Sequence, residues 1–164
     1  MLAVQFTRFM LTIQSITAEG EGLNMIRELF SEYQKELDEN LCFQSFDDEM
    51  RDPLKKYAAP KGALFLAYWN DDVAGCIALK DLGNGSCEMK RLYVKPSFRK
   101  HKIGEALSIH LIAAAKGIGY TSMKLDTLQK LQPAIHLYKK LGFEETTAYY
   151  PNPISGVVYM EKTL

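Results

Sequence analysis

Leu23, Ile26, Leu29, Phe30, Tyr33 and Leu37 recur at three- and four-residue steps, the period of one buried helix face. Ahead of them Leu11, Ile13 and Ile16 mark a short, half-buried strand. Ser45 followed by Asp48 has the spacing of a capping box and predicts a second, short helix, which Pro53 ends or restarts. Past the turn Pro60-Lys61-Gly62, the apolar run 63–69 predicts a strand, and Asn70-Asp71-Asp72 folds it back onto 73–79 as a hairpin. Gly83-Asn84-Gly85-Ser86 predicts a second hairpin turn into a strand over 87–94. The sheet to this point reads as antiparallel.

The period then changes. Ile103, Ala106, Leu107, His110, Leu111 and Ala114 share one helix face that ends near Gly117 and Gly119. Residues 122–126 predict a short strand, and 133–141 a helix with Pro133 at its start and Gly142 just past its end. Strands over 143–147 and 157–161, joined through Tyr149-Tyr150-Pro151-Asn152-Pro153, close the chain. The order β-α-α-β-β-β-α-β-α-β-β describes a mixed α/β fold. It is expected to form one domain over 11–164 behind a tail at 1–10, with Met10 an alternative start.

Composition changes little in this picture. A chain of 164 residues, 47% hydrophobic and 24% charged, has the length of one ordinary globular domain. It can bury roughly 70% of its extended surface without a disulfide or a metal. Twenty Lys and Arg balance twenty Asp and Glu, so no overall field points to nucleic acid or an anionic membrane. Cys42, Cys76 and Cys87 form no C-x-x-C pair, which argues against a zinc site or a disulfide framework. With no apolar run near the roughly 20 residues of a membrane span and no leader pattern, a cytoplasmic protein is expected.

The segment 92–107 carries the chemistry. A strand ending Leu92-Tyr93-Val94 runs through a short loop into a helix start, where unpaired N–H groups and the helix dipole favour phosphate. Gly104 permits close approach of a ligand to the backbone, and Arg99, Lys100, His101 and Lys102 surround it with positive charge. The same residues would also serve as a solvated basic turn with a glycine for helix packing.

This segment resembles the GCN5-related N-acetyltransferase (GNAT) family, whose members carry V-x-P-x-x-R/Q-x-x-G-x-G/A between the fourth strand and the third helix. Val94, Pro96, Arg99 and Gly104 stand in register and Ala106 follows, while Lys102 replaces the first glycine. Further on, Ala134-Ile135-His136-Leu137-Tyr138-Lys139-Lys140-Leu141-Gly142-Phe143 is similar to the family's A-x-x-L-Y-x-K-L-G-F segment. Two motifs in family order, separated by one strand, extend the resemblance over residues 11–164.

The resemblance implies a mostly antiparallel sheet of six or seven strands with about four helices, and acetyl-coenzyme A between splayed fourth and fifth strands. The pantetheine arm would pair with the backbone around Leu92, Tyr93 and Val94. The diphosphate would sit on Arg99, Lys100, His101, Lys102, Ile103, Gly104 and Ala106, with Lys140 nearby. A family asparagine that touches the cofactor arm is Leu131 here, so that contact is absent or made by backbone. Tyr138 matches the tyrosine that protonates the departing sulfur, and Glu88 the glutamate that some members use as general base. Lacking a Cys-His-Asp order, the chain is expected to transfer acetyl directly to a primary amine, with no metal. The acceptor is a small molecule or, alternatively, a protein lysine or N-terminus; an acetyl-CoA sensor without turnover is the non-enzymatic alternative. A homodimer is compatible with the resemblance.

For the acceptor, Phe43 and Phe46 with Asp47, Asp48 and Glu49 supply aromatic and acidic groups on one side. Tyr149, Tyr150 and Asn152 supply a second wall. Acids beside aromatics suit a cationic amine; Phe43 and Phe46 as core and the acids as a solvated helix start fit the same residues. On strand alternation Glu88, Lys90, Leu92 and Val94 share a face.

Overall fold

A seven-stranded sheet in the order β1-β2-β3-β4-β5-β7-β6 organises the computed structural model, which describes residues 10–41 and 45–164. The elements are β1 (Leu11–Ser15), α1 (Glu21–Leu37), α2 (Phe46–Arg51), α3 (Leu54–Tyr57), β2 (Ala63–Trp69), β3 (Asp72–Gly83) and β4 (Ser86–Val94). After a 3-10 turn at Pro96–Phe98 come α4 (Ile103–Ile118), β5 (Ser122–Leu128), α5 (Gln132–Lys140), β6 (Glu144–Thr146) and β7 (Val157–Thr163). Neighbouring strands are antiparallel except β4 and β5, which run parallel. The predicted order of elements is the observed one but for one added helix, α3. Pro53 restarts the helix as the single turn α3.

The sheet separates two cores. On one face Leu23, Ile26, Leu29 and Phe30 of α1 pack with Phe46 and Tyr57 against Leu64, Leu66, Cys76 and Ala78. On the other, Ile103, Leu107, Leu111 and Ala115 of α4 pack with Tyr138 and Phe143 against Phe65, Ile77, Leu79 and Met89. Among the described residues no helix is long and apolar enough to cross a membrane.

Two local expectations need correction. Ser45 makes no side-chain cap; it takes the left-handed conformation (φ 57°) and turns the chain into α2 by its backbone. The alternation of β4 also breaks. Ala78 pairs with Lys90 and Cys76 with Tyr93, so Arg91 and Leu92 together oppose Ile77, a β-bulge with Arg91 at φ 57°. Glu88 and Lys90 therefore share the α1 face, whereas Leu92 and Val94 pack against the α4 core. A left-handed arginine costs roughly 1–2 kcal/mol. Its guanidinium is locked in place by Glu49, as described below.

Candidate active site

β4 and β5 pair only at Ser86–Ser122, Cys87–Met123 and Glu88–Lys124. Beyond Glu88 the two strands no longer pair, and the bulge at Arg91 and Leu92 lies in the part of β4 that β5 leaves unpaired. A cleft of about 700 Å³ opens there, walled by Leu92, Tyr93 and Val94, the loop before α4, the first turn of α4 and residues of α5. It narrows past Tyr33, Leu92, Leu131 and Tyr138, which also line a smaller chamber of about 80 Å³ deeper between the strands.

At the cleft mouth Lys102, standing where the family has glycine, keeps the glycine-like conformation at φ 57° and ends the loop into α4. Lys100 is left-handed as well (φ 79°). Ala106 is the first residue after the loop whose N–H meets a helix carbonyl, that of Lys102 at 3.0 Å. The N–H groups of Ile103, Gly104 and Glu105 belong to the unpaired first turn, and all three residues line the cleft.

The expected cofactor residues divide into two groups. Leu92, Tyr93, Val94, Arg99, Lys100, Lys102, Ile103 and Gly104 line the cleft. Arg99 is already engaged, its Nε on the Val94 carbonyl at 2.9 Å and its Nη2 on both Glu36 carboxylate oxygens at 2.7 Å. His101, Ala106 and Lys140 do not line it. The His101 ring stacks on Trp69 at 4.5 Å, and Lys140 pairs with Glu105 at 2.7 Å.

Tyr138 stands where cleft and chamber meet. Its ring packs edge-on to Phe143, with centroids 6.0 Å apart. The hydroxyl has no hydrogen-bond partner among the described residues, unlike those of Tyr57, Tyr149 and Tyr150. Burial, followed by the influence of Tyr33 and Asp126, raises its pKa and keeps the phenol protonated as a donor.

Glu88 is 2% exposed and does not line the chamber. Its Oε1 accepts from the Tyr149 hydroxyl at 2.7 Å, and the Lys90 ammonium lies 3.8 Å from its Oε2. Tyr150 donates to Asp126 Oδ2 at 2.8 Å, and Asn152 donates to the same oxygen at 3.1 Å. Both tyrosines are held protonated by burial and by these carboxylates. The loop before β7 is thus pinned across β4 and β5. Asn152 lines the chamber, and Tyr149 and Tyr150 brace it from behind.

On the opposite wall, Phe46 is packed beneath Arg91 at 5.3 Å from ring centroid to guanidinium, with Tyr33 at 5.7 Å. Glu49 is buried and receives Arg91 in a two-pronged ion pair at 2.7 and 3.0 Å. Lys56 at 3.0 Å and the Tyr57 hydroxyl at 2.9 Å complete its partners. Burial alone would raise the Glu49 pKa, but Arg91 and Lys56 outweigh it and hold the carboxyl at about 2. Glu49 thus supports the bulge instead of greeting an amine. Phe43 lies outside the described residues. Cys87 is buried, its pKa pushed up to about 12 by burial first and then Asp81, far from a nucleophilic thiolate.

Among the described residues, the charged ones lining the chamber are Asp126, Lys90 and Arg91, none of which the sequence assigns to the site. One signal was present: Asp126 follows Lys124 on a strand whose Met123, Leu125 and Thr127 point to the interior.

Residues 23–143 match the Acetyltransferase (GNAT) family. Over 142 residues the chain is 44% identical to an uncharacterized N-acetyltransferase of Schizosaccharomyces pombe, covering 85% of this chain and 87% of that one. An acetyltransferase from Streptococcus agalactiae superposes with a TM-score of 0.78 at 22% identity, covering 94% of this chain and 98% of that chain. The PaiA N-acetyltransferase of Thermoplasma acidophilum, in complex with coenzyme A, superposes with a TM-score of 0.70 at 18% identity over 94% and 99% of the two chains. With the splayed strands, the loop before α4 and the family match in agreement, this chain belongs to the GNAT family of N-acetyltransferases.

Proposed function

We propose that the chain transfers the acetyl group of acetyl-coenzyme A to a small primary amine by direct attack, with the cofactor in the cleft and the amine in the chamber. The observation carrying this reading is the continuous passage from the α4 N-terminus, along the part of β4 that β5 leaves unpaired, to Tyr138 and the chamber. The coenzyme A bound by the Thermoplasma acidophilum protein supports the choice of cofactor.

The diphosphate rests on the N–H groups of Ile103, Gly104 and Glu105, with Lys100 and Lys102 beside it. The pantetheine arm runs along Leu92–Val94 like an added strand. The Val94 carbonyl accepts from Arg99 and keeps a second lone pair. An alkylamine, mostly protonated at neutral pH, sheds a proton before attack. Its nitrogen then bonds to the acetyl carbon, the C–S bond breaks with its electron pair on sulfur, and the Tyr138 phenol gives that sulfur a proton. The nitrogen gives up two protons: the first, shed before attack, goes to Asp126, the carboxylate that lines the chamber, and the second, lost as the adduct collapses, passes through water to restore the Tyr138 phenol. Glu88 contributes from behind, through Lys90 and Tyr149.

The test is calorimetric titration with acetyl-CoA. Micromolar-range binding is expected, at least about tenfold tighter than for pantetheine, which lacks the diphosphate. In Gly104→Ala the added Cβ would meet only Val94 Cγ2 at 3.7 Å and Leu137 Cδ2 at 3.8 Å, ordinary contacts. Alanine also favours a helix by about 1 kcal/mol. The variant should therefore melt no lower than wild type, yet bind acetyl-CoA more weakly, because the methyl intrudes where phosphate meets backbone. Equal affinity for pantetheine would overturn this placement.

A further inference from the structure

The chamber carries opposite charges on its facing strands: Lys90 and Arg91 on β4, Asp126 on β5. Around it Glu49, Glu88 and Asp126 balance Lys56, Lys90 and Arg91, so its field is dipolar, without net charge. A plain alkylammonium would find the β4 cations against it. A molecule bearing both signs would satisfy each wall.

We propose that the acceptor is an α-amino-acid-type zwitterion, its ammonium held by Asp126 and its carboxylate by Lys90 with Arg91 beside it. The inference rests on the acetyl-transfer reading and names the substrate class for that same site. Tyr150 and Asn152 both occupy Oδ2 of Asp126, and no described residue donates to Oδ1. That oxygen is available to an ammonium. Arg91 is fixed by its two bonds to Glu49 and by the rings of Tyr33 and Phe46, so it presents a charge that does not move. The Lys90 side chain is only 7% exposed. It already has Glu88 at 3.8 Å; burial, and after it the neighbouring Arg91, still lowers its pKa against Glu88 and Asp126, so an arriving carboxylate would add to partners it has and further favour its charged form. A volume of about 80 Å³ is roughly that of three liquid waters, and the chamber opens into the cleft past Tyr33, Leu92 and Tyr138, so it admits an amino acid only with a small side chain.

The experiment compares alanine, alaninamide and ethylamine as acceptors for the full chain at saturating acetyl-CoA, reading thiol release. Alanine is expected to exceed both analogues in kcat/KM by at least about tenfold, chiefly through a lower KM. In Lys90→Met the ratio of alanine to ethylamine should collapse toward one. Equal or better use of ethylamine or alaninamide by the wild-type protein would overturn the inference while leaving acetyl transfer to amines intact. Should no amine of any kind release thiol from bound acetyl-CoA, the transferase reading itself would fall. The wild-type comparison stands even where Lys90→Met does not fold.

Discussion

Glu49→Gln is expected to destabilise the fold by about 3–5 kcal/mol, the typical loss when one partner of a buried ion pair is removed. Glu49 is 1% exposed and joins Arg91, Lys56 and the Tyr57 hydroxyl. The amide cannot offer two anionic oxygens, so Arg91 is left charged, buried and half paired at a left-handed position. Because the folded-state pKa lies near 2, below its ordinary 4.5, the carboxylate stabilises the fold above about pH 4.5. That contribution is lost as pH falls from about 4.5 toward 2, so the Gln variant should show a shallower acid loss than wild type. Asp48→Asn, at the exposed pair with Arg51, is the control and should change stability by less than about 0.5 kcal/mol. Urea denaturation of the three proteins measures both effects. A Glu49→Gln loss below about 1 kcal/mol would place this network with ordinary surface pairs.

Tyr138→Phe is expected to lower turnover by at least about tenfold, while acetyl-CoA binds within a few-fold of wild type. Acid assistance is worth roughly 10²–10⁴-fold, or about 3–5 kcal/mol of barrier. The smaller bound reflects a coenzyme A thiolate that leaves tolerably well and a cleft through which water can reach the sulfur. The structure makes this substitution clean. The ring contact with Phe143 survives, and the hydroxyl gives up no bond to a described residue. Stability should therefore stay near wild type. Unchanged turnover would reduce Tyr138 to a packing residue; matched losses of binding and stability would make it a structural one.

Most of the fold was legible because it is written in short-range pattern. The helical period from Leu23 to Leu37 and the Asn84-Gly85 turn, at φ 51° and 75°, each specify their element locally. The cleft proposed for the cofactor was legible for the same reason, since Val94 through Gly104 belong to one contiguous strand–loop–helix segment. The chamber proposed for the acceptor was not. Asp47, Asp48 and Glu49 read as one acidic turn, yet Glu49 alone turns inward, to an arginine far away in the chain. The bulge leaves no mark in β4, because arginine is not a residue that announces a positive φ. Without the bulge, alternation assigns Glu88 and Leu92 to one face and hides the parting of β4 from β5. Asp126 gains its meaning only from Tyr150 and Asn152, which reach it from a loop before β7.

The most direct measurement of acetyl transfer is product stoichiometry. The chain is incubated with acetyl-CoA and a mixture of small amines, thiol release is followed, and acetylated products are counted by mass spectrometry. Acceptor-dependent thiol release is expected, with one N-acetylated amine formed for each coenzyme A set free. Tight binding of acetyl-CoA with no thiol release above the acceptor-free rate would contradict it and leave a protein that senses the cofactor without using it.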